Sequence, residues 1–179
     1  MDVCNEIVCM TTILYTDCQM ISKPAIIKQV IKQLGEELEL LAGAARAMHA
    51  DASDEQSKAE DQYDTRGLET AYLASSQARQ ATATEEALAA YHAIKPAKFT
   101  AATPVAFTAL VELESRGERT LYFLGPKAGG LAVHVAGQEV VVITPESPMG
   151  QQILGKKAGD RFKLQTRGPG HEFKIVSVR

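Results

Sequence analysis

The chain has 179 residues, room for one medium domain or two small ones, and its 45% hydrophobic and 23% charged content is that of a globular protein. A net charge of −3 excludes binding to nucleic acid by bulk positive charge, and no run of about 18 apolar residues suggests a membrane span. The three cysteines, Cys4, Cys9 and Cys18, fit no zinc spacing, and their odd number argues against a disulfide framework.

Residues 1–22 show neither a helical nor an alternating period, and Asp2 and Glu6 stand where a secretory signal would be basic. Met20 lies just before a clean helix start. The expectation is an extension that is disordered or foreign to the native chain, with a short redox or interaction arm as the alternative.

From there the apolar residues Ile27, Ile31, Leu34, Leu38, Leu41, Ala45 and Met48 follow one another at alternating steps of four and three, a heptad seam. Ser22 followed by Pro24 marks the helix start. The run Asp51 to Gln56 interrupts the seam. Ser57 and Glu60 then form a capping box that opens a second helix, which Pro96 ends soon after Ala93. Its stripe is rich in small residues (Ala71, Ala74, Ala78, Ala81), with Leu68, Tyr72, Leu88 and Tyr91 as larger members. Small residues opposite a leucine seam allow close approach, so residues 23–95 are expected to fold as an antiparallel helical hairpin. A coiled-coil dimer without a hairpin is the competing solution.

Residues 96–104 read as a linker between Pro96 and Pro104. Beyond it, strands are expected at 105–113, 120–124, 131–135, 139–144, 161–166 and 171–178, separated by glycine-bearing turns. Pro145 and Pro148 stop the fourth strand, and Ser147 caps one short helix through Leu154. The whole is an α+β chain: a helical hairpin followed by a small antiparallel sheet with one helix on a face. Charge is split between the parts, with 12 acidic and 9 basic residues in 23–98 and 7 acidic and 10 basic in 103–179.

The segment Ser147-Pro-Met-Gly150 followed by Leu154-Gly-Lys-Lys-Ala-Gly-Asp160 resembles the C-terminal domain of the GreA/GreB transcript-cleavage factors, over Val105 to Arg179. The resemblance implies an FKBP-like C-terminal domain in a cytoplasmic factor that binds bacterial RNA polymerase. Its hairpin would enter the secondary channel and modulate cleavage of backtracked transcripts by the polymerase itself, with nucleic acid met only through the polymerase. It implies no enzymatic activity and no cofactor of the chain's own. Docking candidates are Ser147, Pro148, Gly150, Lys156 and Lys157.

The hairpin apex is the one acidic concentration, with Asp51, Asp54, Glu55, Glu60, Asp61 and Asp64 against the single Lys58. Carboxylate oxygens suit Mg²⁺, and the resemblance makes Asp51 and Asp54 candidates for holding an ion shared with the polymerase active site. Here the chain departs from the family. With Tyr63 placed on the family tyrosine, Gln56 and Ala59 stand where an Asp-x-x-Glu pair is expected, and the nearest replacement is Asp51-Ala-Ser-Asp54. Alternatives are a secondary-channel regulator or antagonist without cleavage stimulation, a plain coiled-coil interaction module, and a solvated acidic loop that caps the second helix. Prolyl isomerase activity is disfavoured, because Phe107, Tyr122, Phe123, Phe162 and Phe173 mostly occupy core-facing strand positions. His49, His92, His134 and His171 are scattered without ligand spacing. Gly125 to Gly130 lacks the closing Gly-Lys-Ser/Thr of a phosphate loop.

Overall fold

The computed structural model describes residues 21–52, 66–100, 102–164 and 171–179. Two long helices, α1 (Lys23–Ala52) and α2 (Arg66–Ala93), precede strands β1 (Leu110–Ser115), β2 (Glu118–Leu124), β3 (Ala132–Val135) and β4 (Gln138–Ile143). A short helix, α3 (Pro148–Ile153), leads to β5 (Arg161–Leu164) and β6 (His171–Val178). The capping box at Ser57 and Glu60 lies outside the described residues, as do residues 1–20. Ile21 and Ser22 do not belong with them. Ile21 is buried in the core, and the Ser22 carbonyl accepts from the amides of Ala25 and Ile26, so the folded part starts earlier than the expected boundary.

α1 and α2 run antiparallel side by side, with Gln80 Nε2 donating to Glu37 Oε1 at 2.9 Å across the pair. The seam differs from expectation in two ways. Its base buries Ile26 and Val30 as well as Ile27 and Leu34, because this stretch of α1 meets both α2 and the sheet. Towards the tip Leu38 and Leu41 are only half-buried, and Ala45 is exposed along with Ala71, Ala74 and Ala78 of the expected small-residue stripe. The buried positions of α2 are instead Thr84, Ala87 and Tyr91.

The sheet order is β3-β4-β2-β1-β6-β5. All pairings are antiparallel except β2 with β4, which is parallel, so the expected wholly antiparallel sheet is corrected to a mixed one. The cause is the loop from Gly125 to Leu131, which carries the chain past one strand position to the edge. β3 then hairpins back and β4 fills the gap beside β2. Both tight hairpin turns have two successive residues at positive φ, Arg116 (54°) with Gly117 (84°) and Ala136 (52°) with Gly137 (76°), the primed geometry that matches strand twist.

The first strand is shorter at its start than the expected 105–113. Val105 exchanges bonds with the Gly155 amide and the Lys156 carbonyl, and Thr108 turns the chain at φ 70° before β1 begins. A bulge in β6 lets Ile175 and Val178 face the same side. Two cores result. Leu110, Leu121, Phe123, Val133, Val140 and Val142 pack against the hairpin base, while Val111, Leu113, Leu124, Ile153, Phe162 and Ile175 fill the opposite face of the sheet with α3.

Candidate functional site

The segment 147–160 is built by local hydrogen bonding. Ser147 is the N-cap of α3: its Oγ accepts from the Gly150 amide at 3.0 Å and donates to the Thr144 carbonyl at 2.7 Å. Pro148 occupies the first helical turn, where a missing amide costs nothing. A Cβ on Gly150 would overlap the Thr144 carbonyl oxygen, so the position admits only glycine without a backbone shift. Gly155 (φ 77°) and Gly159 (φ 95°) supply left-handed turns. Asp160 Oδ2 accepts from the Lys157 amide at 2.8 Å and closes the loop into β5. Ser147, Pro148 and Gly150 are therefore a structural clamp. Lys157 is exposed and Lys156 half-buried, and neither makes an ion pair among the described residues.

A second cluster, which the sequence pattern did not announce, joins the hairpin to the sheet. Tyr91 is buried to 1% exposure, and its hydroxyl donates to the Lys127 carbonyl at 3.0 Å. Burial pushes that hydroxyl's pKa well above the usual tyrosine value. Gly125 has no Cβ to strike the Tyr91 hydroxyl, which explains a glycine at the end of β2. Lys127 pairs with Glu86 of α2, and this hydrogen bond and charge hold the Glu86 carboxyl below its ordinary value. At the start of α1, Lys23 Nζ donates to the Ala97 carbonyl at 2.6 Å and sits 4.1 Å from the Phe99 ring centroid. Partial burial lowers its pKa to about 8. The Ala97 amide in turn donates to Thr108 Oγ1, so the linker is tied to both parts. The signal available beforehand was the Ile26/Val30 pair, a second apolar stripe beside the heptad seam.

Between the hairpin and the loops after β2 and β4 lies an open cleft of about 540 Å³, with Leu34, Glu37, Gln80 and Ala83 on one wall and Lys127 and Glu146 on the other. Among the described residues Leu34 is the last fully buried position of α1, which runs on beyond it to Ala52, about 27 Å at 1.5 Å per residue. Asp51 is in the final turn of α1. Its side chain, and Asp54, Glu55, Glu60 and Asp61, lie outside what is described, as do the side chains of Met48 and Leu68. The structure thus brings Ser147, Pro148 and Gly150 together and places Lys156 and Lys157 on the adjoining loop. Among the described residues no group of three His, Cys, Asp or Glu is arranged to hold a metal, and no helix is long and apolar enough to cross a membrane.

Residues 101–179 match the family described as transcription elongation factor, GreA/GreB, C-term. Similar solved structures include one described as the transcription factor Gfh1, 23% identical, covering 84% of this chain and 94% of that one, with a TM-score of 0.37. The GreA factor homolog 1 (Gfh1) protein of Thermus thermophilus is 21% identical, covering 83% and 94%, with a TM-score of 0.35. The elongation factor GreA/GreB from Nitrosomonas europaea is 22% identical, covering 53% and 78%, with a TM-score of 0.33. No curated protein sequence matches the chain.

Proposed function

Residues 101–179 belong to the C-terminal domain family of the GreA/GreB transcription elongation factors, and from that premise we propose that the chain binds bacterial RNA polymerase and acts from inside its secondary channel. The C-terminal domain supplies the docking surface, with Lys156 and Lys157 presented on the loop that the Ser147 clamp holds in place. The observation that carries the reading is the free length of the hairpin. About 27 Å of α1 projects past the packed base, and the chain at its end holds six carboxylates against one lysine. A narrow rod with its negative charge at the tip can deliver carboxylates into a deep cavity that the domain itself could not enter.

The protein performs no reaction of its own in this scheme. It modulates the polymerase's cleavage of a backtracked transcript. Asp51 and Asp54 would hold a Mg²⁺ shared with the polymerase, an ion that there would polarise a water for phosphodiester hydrolysis. Oxygen donors of this kind suit that cation. Cofactor and partner are thus the polymerase's metal and the polymerase, in the cytoplasm, with nucleic acid contacted only through the complex.

Stalled elongation complexes test this directly. The chain is expected to co-sediment with core polymerase and change the rate of transcript shortening. Asp51→Asn with Asp54→Asn should remove that change and leave co-sedimentation intact. Failure to bind core polymerase would overturn the proposal. Gln56 and Ala59, at the positions of the family's acidic pair, favour a second reading in which the hairpin occupies the channel without stimulating cleavage. Under that reading the wild-type chain slows shortening driven by a stimulatory factor.

A further inference from the structure

The two helices of the hairpin weaken at the same level. α1 carries a glycine in its interior, Gly35, where an added Cβ would meet nothing within 4 Å. Close packing therefore does not account for this glycine. Its effect is on the backbone, since glycine holds a helix less firmly than any residue but proline. Gln80 of α2 bonds across to Glu37, so in this antiparallel pair Gly35 stands about level with Thr82. Thr82 Oγ1 donates to the Ala78 carbonyl at 3.1 Å, and Thr84 Oγ1 to the Gln80 carbonyl at 3.0 Å. A hydroxyl bonded to the carbonyl four residues back competes with the helical ladder and bends the helix. Gly43 is equally open but stands level with Ala74, a strong helix former, so only at Gly35 do two weak points coincide. Packing changes here too. Among the described residues Leu34 is the last fully buried position of α1 and Thr84 the first of α2. On the side of the sheet, the cleft of about 540 Å³ separates Glu37, Gln80 and Ala83 from Lys127 and Glu146.

We propose that Gly35 with Thr82 and Thr84 forms a joint, about which the outer hairpin swings as one body into and away from the cleft. A hinge needs only a few residues that absorb backbone change beside a segment with little packing of its own. The Gln80–Glu37 bond just past the joint ties the helices, so they bend together. The base does not follow. Ile26, Val30, Ala87 and Tyr91 are buried in the core shared with the sheet, and the Tyr91 hydroxyl is bonded to the Lys127 carbonyl. Two other behaviours are distinguishable from a joint: a stiff rod, in which neither helix bends, and fraying, in which the two helices part. The inference goes beyond the polymerase reading and does not depend on it, because the joint belongs to the chain alone.

The test measures distances between paired nitroxide labels on the full chain by double electron–electron resonance, with Cys4, Cys9 and Cys18 replaced by serine. Ala71→Cys with Glu139→Cys spans the joint, Lys28→Cys with Glu139→Cys stays within the base, and Glu39→Cys with Ala71→Cys stays within the outer hairpin. All four labelled positions are exposed. The distribution across the joint should be about twice as wide as either of the others. Gly35→Ala, whose methyl has room, combined with Thr82→Ala on the exposed face, should narrow it by about a third. Gly43→Ala should leave it unchanged. A distribution across the joint as narrow as that of the base would establish the stiff rod and overturn the proposal. An equally broad distribution within the outer hairpin would establish fraying and overturn it too. A width that the Gly35→Ala, Thr82→Ala variant leaves untouched, or that Gly43→Ala narrows as much, would put the bending elsewhere and overturn the assignment. Both alanines favour the helix, so the variant is expected to fold, and an unchanged circular dichroism spectrum checks that it does.

Discussion

The two halves of the hairpin carry the same heptad pattern and have opposite fates. At the base the seam residues Ile27 and Leu34 are buried. Further out on the same seam Leu38 and Leu41 are only half-buried and Ala45 is exposed, although the helix runs unbroken to Ala52. Periodicity therefore reports which side of a helix is apolar, not how deeply that side is covered. Depth comes from the third layer: the sheet lies under the base and not under the outer half. The base is specified by packing, whereas among the described residues the outer half is held by little more than its own two helices.

The sharpest way to break this contrast is substitution in the base. Ile26→Ala should cost about 2–5 kcal/mol in chemical denaturation, because its cavity is walled by both helix and sheet. A loss under 1 kcal/mol would show that the base is not the anchor. Gly125→Ala tests the same junction from the other side. Its new methyl would collide with the Tyr91 hydroxyl, and the expected loss is about 1–3 kcal/mol, since part of the strain is relieved by moving the flexible end of the tyrosine. Leu38→Ala sits at the transition between the halves and should cost about 1–2 kcal/mol, less than a buried leucine, with faster hydrogen exchange confined to the outer hairpin. Leu40→Ala should stay within about 0.5 kcal/mol of the parent.

The smallest effect concerns Lys23. Burial holds its pKa at about 8, below the ordinary 10.5, so the unfolded chain binds more protons between those values. Stability should rise with pH across that window, and Lys23→Met should flatten the slope. The Phe99 ring and the Ala97 carbonyl favour the charged form and keep the effect small. A slope of the opposite sign would mean that the cation–ring contact outweighs desolvation.

Much of the fold could be read in advance because its signals are local. The strand at His171–Val178, both glycine-bearing hairpin turns and the Ser147 cap follow from alternation, positive-φ residues and capping chemistry. What escaped is long-range. No period in Leu121 to Leu124 says that its neighbour will be the parallel Val140 to Ile143, a pairing set by where the Gly125–Leu131 loop deposits β3. Val105 looked like strand because it is apolar and β-branched, yet its partners are the backbone of Gly155 and Lys156. Ile26 and Val30 lie off the heptad seam, which assigns one partner face per helix, whereas this helix has two. For the candidate site, the clamp residues were legible as a motif but their role was not. Only the contact geometry of Gly150 shows that the motif is there to close a turn.

That geometry has a consequence for anyone sorting chains of this kind. A position that rejects every side chain is held to glycine by its own backbone, whatever task the rest of the chain performs. Ser147-Pro-Met-Gly150 is thus a label for architecture and is silent about outcome. A search built on it sorts chains by this turn and not by what they do.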